Sequence, residues 1–148
     1  MKLLLFTVLS CIIIKGPTAL ELETVRNNYR LASEDKELCR EMMESLQSRK
    51  DAVHIAYLGA FQSIWAKHAI NPLNKLGTFR KGKSNIEEAV KMAPYNTEIR
   101  FIRLSVQLNA PGFLGYDDNI AEDKKFIVAN RGTIKSEVLK TMINEIIK

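Results

Sequence analysis

Residues 82–107 read GKSNIEEAVKMAPYNTEIRFIRLSVQ and decide how the rest of the chain is interpreted. Small and apolar residues recur at helical spacing in the first half, which predicts a helix with one face against a neighbour. Pro94 cannot continue that helix, and Asn96 or Thr97 is a good N-cap for a second one. The small and apolar face of the first helix consists of Gly82, Ile86, Ala89 and Val90. The stretch therefore predicts a helix, a tight turn and a second helix.

The same apolar spacing recurs along the rest of the chain, and no segment alternates in the manner of a strand. Ser33 is a natural N-cap, and Pro72 suits a first helical turn. Phe61 and Trp65 lie on a wide apolar stripe and are expected in the core. The predicted helices span 22–32, 34–47, 51–68, 72–92, 96–107, 119–130 and 133–148. We therefore expect an all-α domain of six or seven helices, arranged in antiparallel helical hairpins.

One part of the chain resembles a known helical repeat. Gly82, Ile86, Ala89 and Pro94 have the spacing of the small, bulky, small and proline positions that close a tetratricopeptide repeat. Residues 58–59, Leu-Gly, resemble the Leu-Gly pair of the repeat's first helix. The resemblance covers one degenerate repeat and implies a tetratricopeptide-like array of hairpins. The whole chain is also similar to a family of uncharacterised exported helical proteins of Gram-negative bacteria, which implies no known activity.

The N-terminal residues 1–19 are typical of a signal peptide. Lys2 supplies a positive start, and residues 3–14 form an apolar stretch of twelve residues, shorter than the ~20 residues of a membrane span. Ala19 is a small residue for cleavage. We expect a single α-helical domain over 20–148, in the periplasm or secreted, with no transmembrane segment in the mature chain. The alternative is a lipoprotein anchored through Cys11.

The motifs of common enzymes and metal sites are missing from the sequence. His54 and His68 are fourteen residues apart, and no metalloprotease, P-loop or dinucleotide-binding motif occurs. Cys39 is expected to be a buried apolar residue. A carboxylate cluster at Asp117, Asp118, Glu122 and Asp123 lacks the spacing of an EF-hand, so helix capping is the favoured explanation. The sequence predicts no catalytic residue, no metal ligand and no cofactor.

A block of like charge lies in the middle of the chain. No Asp or Glu occurs from Ala52 to Ile86, whereas the full chain has a formal net charge of +5. The cations of this block are Lys67, Lys75, Arg80, Lys81 and Lys83. A block of one sign can steer an acidic protein or peptide, or an anionic surface. Nucleic acid is not predicted, since no aromatic residues alternate with the basic ones.

A polar stripe on the helix over 96–107 provides the candidate site. Arg100, Arg103 and Gln107 lie at i, i+3 and i+7 on an otherwise apolar helix. Such buried polar groups need partners. One interpretation is an internal salt bridge to Glu87 or Glu88. The other is a groove, completed by Tyr116, that binds an anionic group.

The loop over 108–116 contains Pro111 and two glycines, so it cannot be a regular helix. Its apolar residues Phe113, Leu114 and Tyr116 are expected to tuck back onto the core. Taken with the charge and motif evidence, the sequence favours a non-catalytic interaction or scaffold protein. The alternative is an enzyme or small anionic-ligand binder that uses Arg100, Arg103, Gln107 and Tyr116. A third possibility is association with a membrane surface through the basic block.

Overall fold

Seven α-helices form most of the chain in a computed structural model that describes residues 19–147, with burial described from residue 21. No strand occurs among these residues, so the predicted all-α class is confirmed. Apart from Ala19, the predicted signal peptide and Cys11 lie outside the described part. The helices are α1 (Ala19–Leu31), α2 (Lys36–Leu46), α3 (Ala52–His68), α4 (Pro72–Met92), α5 (Thr97–Asn109), α6 (Ile120–Asn130) and α7 (Glu137–Ile146). None of the described helices is long and apolar enough to cross a membrane.

The helix starts follow the capping residues of the sequence. Asn96 accepts a hydrogen bond from the backbone N–H of Ile99 at the start of α5, and Pro72 occupies the first turn of α4. Among the predicted starts, those of α2 and α7 are wrong, and α1 begins three residues earlier than predicted. Asp35, not Ser33, caps α2, and α7 is capped by Ser136 after a short 3-10 turn at Arg131–Thr133.

Helices α3 and α4 pack against each other more extensively than any other described pair. They run antiparallel, because Gly59 on α3 lies against Ile86 on α4, whereas Ser63, one turn later on α3, lies against Gly82, one turn earlier on α4. A Cβ added at Gly59 or at Gly82 would lie 2.5 Å from the other glycine's carbonyl oxygen. Only glycine permits this approach of the two backbones.

Helix α5 lies in the centre of the described fold. Every residue from Thr97 to Gln107 is buried, and α5 contacts α3, α4, α6 and α7. Side chains of α1 reach it as well, through Arg26 to Glu98 and Tyr29 to Ser105. A helix enclosed on all sides must pair its polar side chains inside the protein.

The aromatic core forms where α1 meets α3. The Tyr29 ring lies edge-on to Tyr57 and Phe61, at centroid distances of 5.7 Å and 5.8 Å. Phe61 is completely buried. Trp65 is only partly buried and has the Lys36 ammonium 5.4 Å from its ring centre. The expectation that Trp65 is a core residue holds only in part, because Trp65 packs against the core at its edge and is not one of the fully buried residues.

The segment after α5 follows the prediction in part. A 3-10 turn at Gly112–Leu114 ends at Gly115, whose φ of +57° is left-handed and suits glycine. Tyr116 is buried, as expected, but the Phe113 side chain is 87% exposed. The expectation is therefore wrong for Phe113, whereas Leu114 packs partly against the core.

Candidate functional site

The predicted arginine stripe forms an ion cluster between α5 and α6. Arg103 donates from Nε to Asp123 Oδ2 at 2.7 Å and from a terminal nitrogen to Asp123 Oδ1 at 2.8 Å. A third bond of 3.3 Å joins Arg103 to Glu87 on α4. Asp123 has no exposed surface. The geometry is a bidentate pair, which is the strongest arrangement of arginine and carboxylate.

Arg100 extends the same cluster toward the surface. It donates to Glu122 Oε1 at 2.7 Å and to Asp123 Oδ1 at 2.8 Å. Its Nε donates to the carbonyl oxygen of Pro94 at 2.9 Å. The hydrogen bond from Arg100 holds the pKa of the exposed Glu122 carboxyl below its usual value. Both arginines thus have acidic partners within the protein.

Tyr116 and Gln107 complete the predicted set. The Tyr116 hydroxyl donates to Glu87 Oε1 at 2.7 Å. Burial raises the pKa of that hydroxyl far above its usual value, and the bond to Glu87 raises it further. Gln107 donates to Asn119 at 3.3 Å, whereas its own side-chain oxygen is buried without a partner among the described residues.

The structure therefore brings the four predicted site residues to one side of α5. The two arginines among them are already paired with acids inside the protein. The predicted partner Glu87 is found, whereas Glu88 is exposed and makes no ion pair with a described residue. The sequence pattern favours helix capping for the main partner, Asp123, as it does for Asp117, Asp118 and Glu122. That interpretation is wrong for Asp123 and Glu122, which bind the arginines. Acids in a first helical turn are common because the helix dipole favours them there. The sequence pattern therefore does not show that Asp123 and Glu122 pair with arginines on another helix.

A second ion cluster, which the sequence did not indicate, joins α1, α3 and α5. Arg26 donates to both oxygens of Glu98, at 2.7 Å and 2.6 Å. Tyr57 donates to Glu98 Oε1 at 2.8 Å. Burial, and then the neighbouring Glu98 charge, raise the pKa of Tyr57 well above its usual value. The cluster crosslinks three helices that are distant in sequence.

An apolar groove of about 990 Å³ opens on the described structure. It lies between α1, α3, α4, α5, the turn at 112–114 and α7. Its floor includes the buried side chains of Phe79, Phe101, Val106 and Met142. This volume lies at the upper end of the range of ligand pockets, which is ~300–1,000 Å³. We call this feature the groove.

The rim of the groove combines exposed apolar and basic side chains. Leu73 is 79% exposed and Leu31 is 57% exposed, and both line the groove together with Phe113. The basic residues on its lining are Arg30, Lys67 and Lys75. The sequence signalled this rim only through the basic block, because the groove forms from helices that are far apart along the chain.

Two further side chains with reactive chemistry, Cys39 and His54, make hydrogen bonds within the protein. Cys39 is buried and donates its thiol hydrogen to the Phe61 carbonyl oxygen, and burial raises the pKa of the thiol to about 11. His54 shares a hydrogen bond with Asp51 at the start of α3. No group of His, Cys, Asp and Glu within the described part could hold a metal ion.

Comparison with known proteins adds no relative from which a role could be transferred. No family model, no curated protein and no solved structure matches the chain. The function is therefore inferred from the geometry of the ion clusters and the groove.

Proposed function

We propose that the chain is a non-catalytic binding protein that holds an apolar part of its partner in the groove. The observation that carries this proposal is the exposure of Leu31, Leu73 and Phe113 around one concave apolar surface. Large apolar side chains that are exposed together are typical of interaction sites. A partner that covers them removes apolar surface from water, and this is the main source of binding energy.

The arginine stripe is a weaker candidate for the binding site. A ligand anion would have to displace Asp123 and Glu87 from Arg103, and Asp123 is completely buried. A buried carboxylate that loses its partner costs several kcal/mol. The groove requires no such exchange, so the proposed interaction is placed there.

The proposal includes the exported location predicted from residues 1–19, in the periplasm or outside the cell. It also includes the kinship of the α3–α4 pair with tetratricopeptide hairpins. The close approach of Gly59 and Gly82 supports that kinship, because small residues at the helix crossing are what such hairpins need. Pro94 lies directly after α4 and Asn96 caps α5, in keeping with the start of a following hairpin.

The test uses a neutral apolar dye, Nile red, whose fluorescence rises in an apolar site. Leu76 lines the groove and is partly exposed, so Leu76→Trp should fill the groove and lower the dye affinity about tenfold. The matched control is Val128→Trp, because Val128 is exposed on α6 and does not line the groove. Equal dye binding by the two variants and by the unchanged chain would contradict the proposal.

A further inference from the structure

The rim of the groove has an excess of positive charge, because its lining contains three cations, Arg30, Lys67 and Lys75, and one acid, Glu145. Lys67 and Lys75 are exposed and make no ion pair with any described residue. Arg30 lies 3.7 Å from Glu145, but both side chains are about half exposed, at 45% and 53%, so the pair is weak. No acid occurs in the sequence between Ala52 and Ile86, which includes the ends of α3 and α4 that carry both lysines.

The interior of the groove, in contrast, has few free hydrogen-bonding groups. The Tyr29 hydroxyl is bonded to the Ser105 hydroxyl at 2.8 Å, and Ser63 donates to the Gly59 carbonyl oxygen at 2.9 Å. Asn109 donates to the Ser105 carbonyl oxygen at 2.8 Å. These polar groups of the lining are already satisfied inside the protein. A ligand rich in hydroxyl or amide groups would lose its bonds to water there without replacing them.

We propose that the groove binds a single acyl chain that ends in an anionic head group. The chain would lie on the floor formed by Phe79, Phe101 and Met142, and the head group would lie at the rim beside Lys67 and Lys75. This inference rests on the proposed function and adds the chemical class of the ligand. The positive charge of the rim favours an anionic head group. The interior, whose polar groups are already hydrogen-bonded, favours an apolar chain.

A polypeptide fits these observations less well than an acyl chain. An extended peptide has a backbone N–H and C=O at each residue, and these groups need partners when they are buried. An amphipathic helix pairs its own backbone, so an acidic helix of a partner protein is the competing occupant. Such a helix is best held by a continuous channel along its length, whereas the groove is bordered by parts of six different elements.

The experiment measures how three twelve-carbon amphiphiles displace Nile red, each below its micellar concentration or, for dodecanol, its solubility limit. Dodecanoate should displace the dye at a concentration at least tenfold lower than dodecyltrimethylammonium, with dodecanol between them. The double variant Lys67→Gln/Lys75→Gln should lose this preference while its affinity for dodecanol stays unchanged. The control variant is Lys81→Gln/Lys124→Gln, which removes two cations that do not line the groove and should keep the preference.

The outcomes separate this inference from the proposed function. Equal displacement by the three amphiphiles would overturn the anionic head group but leave the groove as a binding site, because the dye still binds. Displacement by a synthetic acidic amphipathic helix and by none of the amphiphiles would overturn the inference in favour of a protein partner. Absence of dye binding would overturn both. Lysophosphatidylglycerol, an anionic lipid with one acyl chain, distinguishes the two sources of such a ligand. Stronger displacement of the dye than by dodecanoate points to a lipid, and weaker displacement points to a free fatty acid. Both results support the inference.

Discussion

Asp123 is an acid without exposed surface, and its two oxygens accept hydrogen bonds from Arg100 and Arg103. Burying a charge is costly unless it is paired and hydrogen-bonded. Here the two arginines bring two positive charges to one carboxylate, and Glu87 and Glu122 supply further acidic partners at the edge of the cluster. The cluster therefore ties α4, α5 and α6 together in one ion-paired unit.

Replacing Arg103 tests whether this unit stabilises the fold. Arg103→Met would leave the buried Asp123 with Arg100 alone, so we expect the free energy of unfolding to fall by ~3–5 kcal/mol. The measurement is urea denaturation. Glu88→Gln is the matched control, because Glu88 is exposed on the helix that carries Glu87, and such a surface change is usually within ~0.5 kcal/mol. An Arg103→Met variant as stable as the unchanged chain would mean that the arginine is not structurally paired.

The sequence could predict this site only in part. The spacing of Arg100, Arg103 and Gln107 is a local property, and it correctly places them on one side of α5. The identity of the main partner is not local, because Asp123 lies twenty residues from Arg103 on another helix. Several acids at helix starts have the same pattern, so only packing distinguishes Asp123 from the exposed Asp117 and Asp118.

At the scale of elements, the α3–α4 pair depends on two glycines that replace a side-chain contact with a backbone contact. A Cβ added at Gly82 would lie 2.5 Å from the carbonyl oxygen of Gly59. The nearest neighbours of that added atom also include the Ser63 hydroxyl, at 2.7 Å. A helix backbone cannot move aside as a flexible side chain can. A larger residue at Gly59 or Gly82 must therefore push α3 and α4 apart.

Two alanine substitutions in α4 should therefore have opposite effects. Gly82→Ala would lower the free energy of unfolding by ~1–3 kcal/mol through overpacking. Gly77→Ala should raise it by ~0.5–1 kcal/mol, since alanine favours a helix more than glycine does and a Cβ at Gly77 meets no atom within 4 Å. Thermal unfolding of both variants gives the comparison. A Gly82→Ala variant that is stabilised as much as Gly77→Ala would contradict the close packing of α3 and α4.

At the scale of the whole molecule, one end of the described fold is tightly packed and the other is open. The aromatic cluster around Phe61 and the enclosed α5 form the packed part. The first two turns of α4 are largely exposed, and they form the groove's rim with the turn at 112–114. Stability and the proposed binding therefore depend on different regions.

Two aromatic residues on α3 test this division. Phe61→Ala should cost ~3–5 kcal/mol of unfolding free energy, because the ring is completely buried and its loss leaves a cavity. Trp65→Ala should cost less than ~2 kcal/mol, because Trp65 is only partly buried at the edge. Urea denaturation of both variants measures the difference. A larger loss for Trp65→Ala would mean that the core extends to the end of α3.

The sequence by itself determined the all-α class, the bounds of α4 and the start of α5 at Asn96 or Thr97. These features depend on periodicity, on Pro72 and Pro94, and on Asn96, which act within a few residues of the chain. The tertiary structure alone decided which acid pairs with Arg103, that α5 is enclosed on every side, and that a groove opens among six elements. Those features depend on contacts between helices, and no local pattern specifies how far apart in space two distant segments come to lie.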